Sequence, residues 1–475
     1  LLSNTTGASN VAIDENALDA NTTASNNVAI GLGALGTNST GSNNSALGYG
    51  SLGGNTTSSN NTGIGYLALN ANSTGAQNTA VGSGALDANT TAHNNTAIGY
   101  NSLSANTTGT ENVAVGADAL SLNTTASYNT ALGQGALRAN TTGAKNTAVG
   151  DEALAANTTG TRNVAVGHAC LDANTTADRN TAMGWQSLTA NTTGSYNTAV
   201  GDATLEANTT GHNNCAFGQA ALAQNTTASH NTAIGTFCMD ANTTGSQNCA
   251  AGYHALGSNT TASYNSAFGY GALQNNVTGA ENTAVGLNAL NANTTSYNTA
   301  VGSQCLDAVT TGSANTGVGR GVLSEVTTGN NNTCMGYNAG FNLTGDANTL
   351  IGYDAGVSMS TGSSNTILGY YTGRNITTGG QNVLIGNNVA TYVTVLQTGT
   401  ENTYVGGYVR TSATGANTET VIGYNLTGKG NDTGFFRGNN GVYNSANSSS
   451  WATTSDIRIK KNVVDNTTGL DKIKQ

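Results

Sequence analysis

The chain has 475 residues and a formal net charge of −10, and only 8% of its residues are charged. This net negative charge, spread over few charged residues, argues against nucleic acid or an anionic membrane as a partner. No apolar run approaches the roughly 18 residues of a membrane span. Low charge and few large apolar residues are common in disordered chains, but disorder does not require the strict repeat that follows.

A pattern of seventeen residues repeats along the chain, and one copy is residues 95–111. We call each copy a rung and number its columns from 0 at the first asparagine. Rungs begin every 17 residues from Asn10 to Asn282, and then at steps of 16, 17 or once 20 as far as Glu419, giving 25 rungs. A short fixed period indicates that each repeat is one structural unit stacked on the next.

Column 4 is glycine in 24 of the 25 rungs, and Asp14 is the exception. Such a glycine indicates a bend with positive φ or a close backbone approach. Column 2 is mostly Ala, column 3 is large and apolar in nearly every rung, column 8 is Leu or Met as far as Leu323, and columns 11 to 13 read Asn-Thr-Thr in most rungs. The rung is therefore predicted as a short strand, a glycine bend, a second short strand around Ala-Leu and a polar turn. The glycines predicted to form this structural turn include Gly31, Gly99, Gly150, Gly201 and Gly286.

No segment of about ten helix-compatible residues survives between these glycines and turn clusters. The sequence therefore predicts an all-β fold, a repetitive parallel β-solenoid or β-roll rod of about 25 rungs. Neighbouring columns on a strand point to opposite faces, yet columns 2 and 3 are both apolar, and so largely are columns 7 and 8. One face lines the interior and the other needs a cover. We therefore expect a homo-oligomer.

The run Asn-Val-Ala-Ile-Gly at residues 27–31 resembles the head repeat of trimeric autotransporter adhesins. The resemblance implies a left-handed parallel β-roll of three chains, so that the partner is the protein itself in a homotrimer. Similar seventeen-residue ladders occur in predicted viral and bacterial surface fibres.

Four segments follow one another along the chain. Residues 1–331 are a uniform solenoid shaft, and residues 332–424 are variant shaft repeats in which column 8 becomes Gly340, Gly356 and Gly373, predicting a tighter second strand. Residues 425–454 form a neck rich in Gly, Asn and Ser. Its aromatic residues are expected to meet across the oligomer axis; they are Phe435, Phe436, Tyr443 and Trp451.

Residues 455–475 bring charges and β-branched residues into the chain. They resemble the start of the intramolecular chaperone domain of phage tail spikes and fibres, a domain that drives trimerisation and then cuts itself off. The resemblance implies that Ser455 is the nucleophile and Lys460 its activating base, a pairing that desolvation of the lysine makes chemically sound. The alternative is a solvated basic tail. Beyond this single-turnover cleavage no enzyme activity is expected.

Two columns carry candidate binding or modification sites. Column 5 is variable and carries aromatic residues that could stack on sugar rings, although lateral packing or a wet surface is the alternative. The predicted glycan contacts are Tyr49, Tyr66, Tyr100, Trp185, Tyr253 and Tyr270. The Asn-Thr-Thr column satisfies the N-glycosylation sequon at Asn55, Asn89, Asn106 and Asn140, and its alternative interpretation is a ladder of hydrogen-bonded asparagines.

No cofactor or metal site is predicted. Only His93 and His212 among the histidines share a column, and seven rungs separate them. The column 9 aspartates lie four or more rungs apart, too far for the paired chemistry of a carbohydrate-cleaving solenoid; they are Asp19, Asp87, Asp172, Asp240 and Asp307. The six cysteines are expected to be small buried hydrophobes.

These features predict the shaft of a fibre, extracellular and on a virion or cell surface, acting as a spacer and as a glycan-contacting surface. An ice-binding solenoid is the alternative, because Thr ladders can order water. An ice-binding face needs two outward ranks of Thr, whereas adjacent residues such as Thr107 and Thr108 are predicted to point to opposite faces.

Overall fold

The structure is a computed structural model that describes residues 2–436 and the backbone of two further short strands. The chain divides into two compact units, Leu1–Asn282 and Thr283–Gln475. Every regular element in the described residues is a β-strand, and none is a helix.

The first unit contains sixteen strands, each of three residues. They are β1 Val11–Ile13, β2 Val28–Ile30, β3 Ser45–Leu47, β4 Thr62–Ile64, β5 Thr79–Val81, β6 Thr96–Ile98, β7 Val113–Val115, β8 Thr130–Leu132, β9 Thr147–Val149, β10 Val164–Val166, β11 Thr181–Met183, β12 Thr198–Val200, β13 Cys215–Phe217, β14 Thr232–Ile234, β15 Cys249–Ala251 and β16 Ser266–Phe268.

The second unit contains strands of two to five residues. They are β17 Thr283–Val285, β18 Thr299–Val301, β19 Thr316–Val318, β20 Thr333–Met335, β21 Thr349–Ile351, β22 Thr366–Leu368, β23 Val383–Asn387, β24 Thr403–Gly407, β25 Thr420–Tyr424, β26 Gly434–Phe436, β27 Val442–Asn444 and β28 Ala452–Thr453.

Strands of successive rungs pair in parallel and in register. Between β9 and β10, Ala148 lies opposite Ala165 and Val149 opposite Val166. The same pairing of equivalent columns continues through each unit, so each unit is a parallel β-solenoid with one strand per rung. The prediction of an all-β solenoid is confirmed. Beyond the last full rung, β26 still pairs in parallel with β25, and β27 and β28 then pair antiparallel.

The predicted second strand around Ala-Leu is wrong. Columns 5 to 10 form consecutive turns, in which Glu152 and Leu154 both have φ of 55°. Because of these left-handed residues the backbone curves instead of extending. The side chains of Ala153 and Leu154 are therefore both fully buried instead of pointing to opposite faces. The cost of left-handed leucines is offset by burial and by hydrogen bonds between rungs, such as the one that the Leu154 N–H donates to the Cys170 carbonyl at 2.9 Å.

Buried asparagines occupy two columns of the interior, columns 0 and 11. In column 0, the Asn163 N–H donates to Asn146 Oδ1 at 2.9 Å, and its own Nδ2 donates to the Ala177 carbonyl at 2.8 Å. In column 11, Asn157 Nδ2 donates to Asn140 Oδ1 at 2.8 Å. Such ladders satisfy the buried amides from rung to rung in the first unit, which explains how a chain with few large apolar residues can fold.

In the core of the second unit, two columns change residue size in opposite directions. Column 2 changes from Ala to Leu350, Ile367 and Leu384, while column 8 changes from Leu to glycine. A Cβ at Gly340 would lie 2.8 Å from Leu350 Cδ1. The glycines thus make room for the larger column 2, and no second strand tightens as predicted.

The column 11 asparagine ladder also ends in the second unit. Fully buried apolar residues take its place: Val309, Val326, Leu343, Met359, Ile376 and Leu396. Near the last rung the core becomes polar again, because Tyr404 fills column 2 and its hydroxyl donates to Glu419 Oε2 at 2.8 Å. Burial raises the pKa of Tyr404, which keeps its hydroxyl protonated as a donor.

Of the predicted neck, residues 425–454, the structure describes side chains only as far as Phe436. Phe435 is buried within its own chain, at 4% exposure, and Lys429 Nζ lies 4.9 Å from its ring centroid. This ring is therefore covered without an oligomer axis, contrary to the expectation. The side chains of Tyr443 and Trp451 lie outside the described residues.

Candidate functional site

The column 4 glycines set the geometry of the outer surface. The five predicted turn glycines have φ between 126° and 137°. A Cβ on Gly150 would lie 2.4 Å from the Gly167 carbonyl oxygen, and the other four meet the next rung in the same way. Both features that the sequence predicts for these glycines, positive φ and a close backbone approach, are therefore present at each of them. The chain turns sharply here and leaves column 3 on the outside.

An apolar face runs along the strands and consists of the outward side chains of columns 1 and 3. Column 2 between them is buried, whereas column 3 ranges from half-buried, as at Val149, to exposed: Ile13 is 55% exposed and Leu132 is 47% exposed. Column 1 adds mainly Thr and Val, and it also carries Cys215 and Cys249, which are half-buried. In-register pairing aligns these side chains into two continuous ranks in each unit.

Aromatic side chains follow the column 4 glycines on the outer surface. All six predicted glycan contacts are exposed, and those on neighbouring rungs stack. The ring centroids of Tyr49 and Tyr66 lie 5.4 Å apart, and those of Tyr253 and Tyr270 lie 5.3 Å apart. Tyr100 and Trp185 are exposed singly. The structure thus provides aromatic surface, while contact with a glycan stays a prediction.

The second unit carries a longer aromatic stack, in which column 5 continues the same rank of aromatic residues. Tyr337, Tyr353 and Tyr370 stack at centroid distances of 5.0 and 5.4 Å, and Tyr371 lies 4.1 Å from Tyr370. A hydrogen bond with Tyr371 raises the pKa of Tyr370 to about 12, so the Tyr370 hydroxyl stays neutral at physiological pH. Two tyrosines in succession on one rung are the sequence signal for this cluster.

The four sequon asparagines are fully buried members of the column 11 ladder. Each uses its Nδ2 as a donor, and that of Asn140, for example, lies 2.9 Å from Asn123 Oδ1 and 2.9 Å from the Gly143 carbonyl oxygen. A glycan would have to be attached to this same nitrogen. The interpretation as an asparagine ladder is confirmed, and the burial argues against glycosylation of the folded chain.

The thiols and column 9 carboxylates do not form a reactive site. Burial raises the pKa of the thiols in column 7 to about 12, which leaves them protonated and unreactive; they are Cys170, Cys238 and Cys305. Burial also raises the pKa of Asp87, Asp240 and Asp307, which lie on separate rungs. In the described part of the chain, no group of three or more His, Cys, Asp and Glu is placed to hold a metal ion.

The structure brings together two histidines that the column comparison kept apart. The ring centroids of His212 and His230 lie 5.3 Å apart, because column 15 of one rung adjoins column 16 of the next. His212 Nδ1 lies 3.0 Å from Ser229 Oγ. Neighbouring columns on adjacent rungs would have revealed this pair from the sequence.

The predicted cleavage pair, Ser455 and Lys460, lies outside the described residues. Thr107 and Thr108 differ as expected: Thr107 is half-buried and its Oγ1 donates to the Thr124 carbonyl at 3.1 Å, whereas Thr108 is exposed. This turn therefore offers one outward rank of Thr.

Neither protein-family models, nor curated proteins, nor solved structures give a significant match to this chain. In the residues that the structure describes, no helix has the length and hydropathy needed to span a bilayer.

The outer surface of the described residues presents extended ranks of apolar and aromatic side chains. Such side chains are suited to binding.

Proposed function

We propose that the protein is the shaft of a fibre, in which copies of the chain pack through the apolar face, three around a common axis. The fibre projects from a virion or cell surface and acts as a spacer. The number three rests on the resemblance to trimeric adhesin heads and to phage chaperone domains.

The exposed apolar face is the observation that carries this proposal. Covering the exposed half of one column 3 side chain contributes about 1 kcal/mol. Nine of the sixteen column 3 side chains of the first unit are exposed, so covering this face works against the association cost of roughly 4–15 kcal/mol at many rungs together. Apolar patches that extend this far on a surface are typical of protein interfaces.

The remaining functional predictions attach to this shaft. The exposed tyrosines of column 5 are proposed to contact glycans while the apolar face is covered. Residues 455–475 are proposed to begin a chaperone domain that assembles the three chains.

Ice binding has less support than packing between chains. The outward pair on each strand is Thr or Val in column 1 with Ile, Val or Leu in column 3, so the second rank is apolar rather than hydroxylated. Thermal hysteresis of the purified protein would favour the ice-binding alternative.

Sedimentation equilibrium tests the proposal directly. We expect a mass three times that of the 47.4 kDa chain. Glutamates at Ile98, Val115 and Leu132 place three charges on successive rungs of the apolar face and should lower the association. The matched control places glutamates in exposed column 13, at Thr91, Thr108 and Thr125, and should keep the wild-type mass.

A folded monomer of the wild-type chain would contradict packing through this face. A folded dimer would retain the face as an interface and reject the threefold arrangement.

A further inference from the structure

Basic residues are scarce in the first unit and are concentrated in one place. Residues 1–319 contain only four Lys or Arg, and all four lie between residues 138 and 179. Three of them occupy column 16 of three successive rungs: Lys145, Arg162 and Arg179. We infer that these three residues form a binding strip for a linear acidic polysaccharide.

The three cations form a straight line along the stack. The Arg162 N–H donates to the Ala144 carbonyl at 3.1 Å, and the Arg179 N–H donates to the Thr161 carbonyl at 3.0 Å, so each rung places its cation over the previous one. All three side chains are exposed. Neighbouring strands lie about 4.8 Å apart, and like charges placed opposite one another at that spacing destabilise a sheet. Folding therefore does not explain this alignment, whereas a bound polyanion would.

No carboxylate neutralises the strip. In the part of the chain that the structure describes, none of the three cations lies within ion-pair distance of Asp or Glu. The nearest acid in sequence, Asp178, points its Oδ1 at Thr161, whose N–H and Oγ1 lie 2.6 and 2.9 Å away. The positive charges thus remain available to a ligand.

A tyrosine holds the cation at each end of the strip. Arg179 Nη1 donates to the Tyr196 hydroxyl at 2.7 Å, and its guanidinium carbon lies 5.2 Å from that ring centroid. Lys145 Nζ lies 6.0 Å from the ring centroid of Tyr128. Cation–π contacts of this kind restrict long side chains before a ligand arrives, which lowers the entropy cost of binding.

The spacing favours a polysaccharide over other anions. One rung is close to the length of one sugar residue in an extended glycan, so consecutive cations can meet charges on consecutive residues. The tyrosines at both ends offer half-apolar rings that suit the faces of sugars. The strip ends after three rungs, because the surface contains no further Lys or Arg before Arg320, and it therefore matches a short run of charged sugar residues.

Binding of defined polymers to the whole protein tests the strip. The probes are heparin, which is sulfated, polygalacturonate, which is carboxylated, neutral amylose, and a single-stranded oligothymidylate. We expect heparin or polygalacturonate to bind and amylose not to bind, with an affinity that falls as salt rises. Which of the two acidic polymers binds more tightly assigns sulfate or carboxylate as the preferred group.

The decisive comparison is between two triple variants with the same change in charge. K145Q/R162Q/R179Q should weaken binding by about tenfold or more, because charge-assisted hydrogen bonds are lost. The control, R138Q/R320Q/K429Q, removes three exposed cations elsewhere and should bind like the wild type. An equal loss in both variants, or no binding of either acidic polysaccharide, would overturn the inference. Tighter binding of the oligothymidylate would replace the polysaccharide by nucleic acid. The test does not depend on how many chains form the fibre.

Discussion

A Cβ placed on Gly150 would lie 2.4 Å from the carbonyl oxygen of Gly167, one rung further along the stack. Real Cβ atoms do not approach an oxygen this closely, so the carbonyl or the whole rung would have to move. The same relationship joins the column 4 glycines of neighbouring rungs. It fixes how closely the turns can stack at this corner.

We therefore expect Gly150→Val to lower the free energy of unfolding by more than about 3 kcal/mol, since strain at positive φ adds to the clash. Gly135→Ala is the control, because Gly135 also has positive φ, 64°, but its Cβ would meet only Glu152 Cγ at 3.8 Å. Gly150→Ala should cost clearly more than Gly135→Ala in chemical denaturation. Equal losses of stability would contradict a role for the close approach of the two rungs at this corner.

The column 11 asparagines should behave as a cooperative ladder. Asn157→Ala removes a donor to Asn140 and an acceptor for Asn174, at 2.8 Å each, and should cost about 2–4 kcal/mol in thermal or urea unfolding. The exposed Thr159→Ala should change stability by less than about 0.5 kcal/mol.

Replacing a whole stretch of this ladder should be less harmful than breaking it. The triple variant N140V/N157V/N174V leaves fewer unpaired amides per substitution, and the second unit already carries Val309 in this column. We expect the triple variant to lose less free energy of unfolding per substitution than Asn157→Val loses alone. Additive losses would mean that the amides act independently.

The exchange of residue size in the second unit predicts coupled substitutions. Leu350→Ala should cost about 2–5 kcal/mol by opening a cavity, and Gly340→Leu alone should overpack, because its Cβ would lie 2.8 Å from Leu350 Cδ1. The double variant should be more stable than the sum of the two losses predicts. A double-mutant cycle with no coupling would contradict direct packing between the two columns.

Asp87 should make stability depend on pH in an uncommon direction for a carboxylate. Burial raises its pKa above the ordinary 3.8, so the folded state holds the proton more tightly than the unfolded state. Its contribution is then present below pH 3.8 and is lost as pH rises through the folded pKa. Asp87→Asn should raise the melting temperature at pH 7, and the difference should vanish below about pH 3. Exposed Glu111→Gln, with the same charge change, is the control; an equal rise there would assign the effect to net charge.

Processing at Ser455 is a further prediction. In a chain extended by a complete chaperone domain, release should leave Thr454 as the new end of the shaft, as seen by mass spectrometry. Ser455→Ala should abolish release while the chains still assemble, because folding assistance does not require the cut. Equal release from wild type and variant would refute the Ser455–Lys460 pair.

The period revealed the fold because register follows from it: Ala148 must lie over Ala165 if every rung has the same length. The left-handed Leu154 could not be predicted, since leucine has no intrinsic preference for positive φ and adopts it here only through burial and bonds between rungs. The change to glycine at Gly340 and the change to leucine at Leu350 can each be read from the sequence. That one compensates for the other could not be inferred, because this requires knowing that columns 2 and 8 are in contact. The strip at Lys145, Arg162 and Arg179 was equally visible as a column, yet the exposure of column 16 comes from the structure.

The in-register ladder of identical rungs also has a consequence for how such a chain changes in length. Each rung bonds to partners 17 residues away, as Asn163 does to Asn146. Inserting or deleting one full repeat within the uniform rungs therefore returns every side chain to the same side of the coil. A change of another size has to be absorbed within a single turn, as it is where the step is 16 or 20 residues and Asn298 and Asn402 still lie in the interior. Duplication in whole periods is thus a route by which fibres of different reach can arise from one sequence, without redesign of either the interior or the outer face.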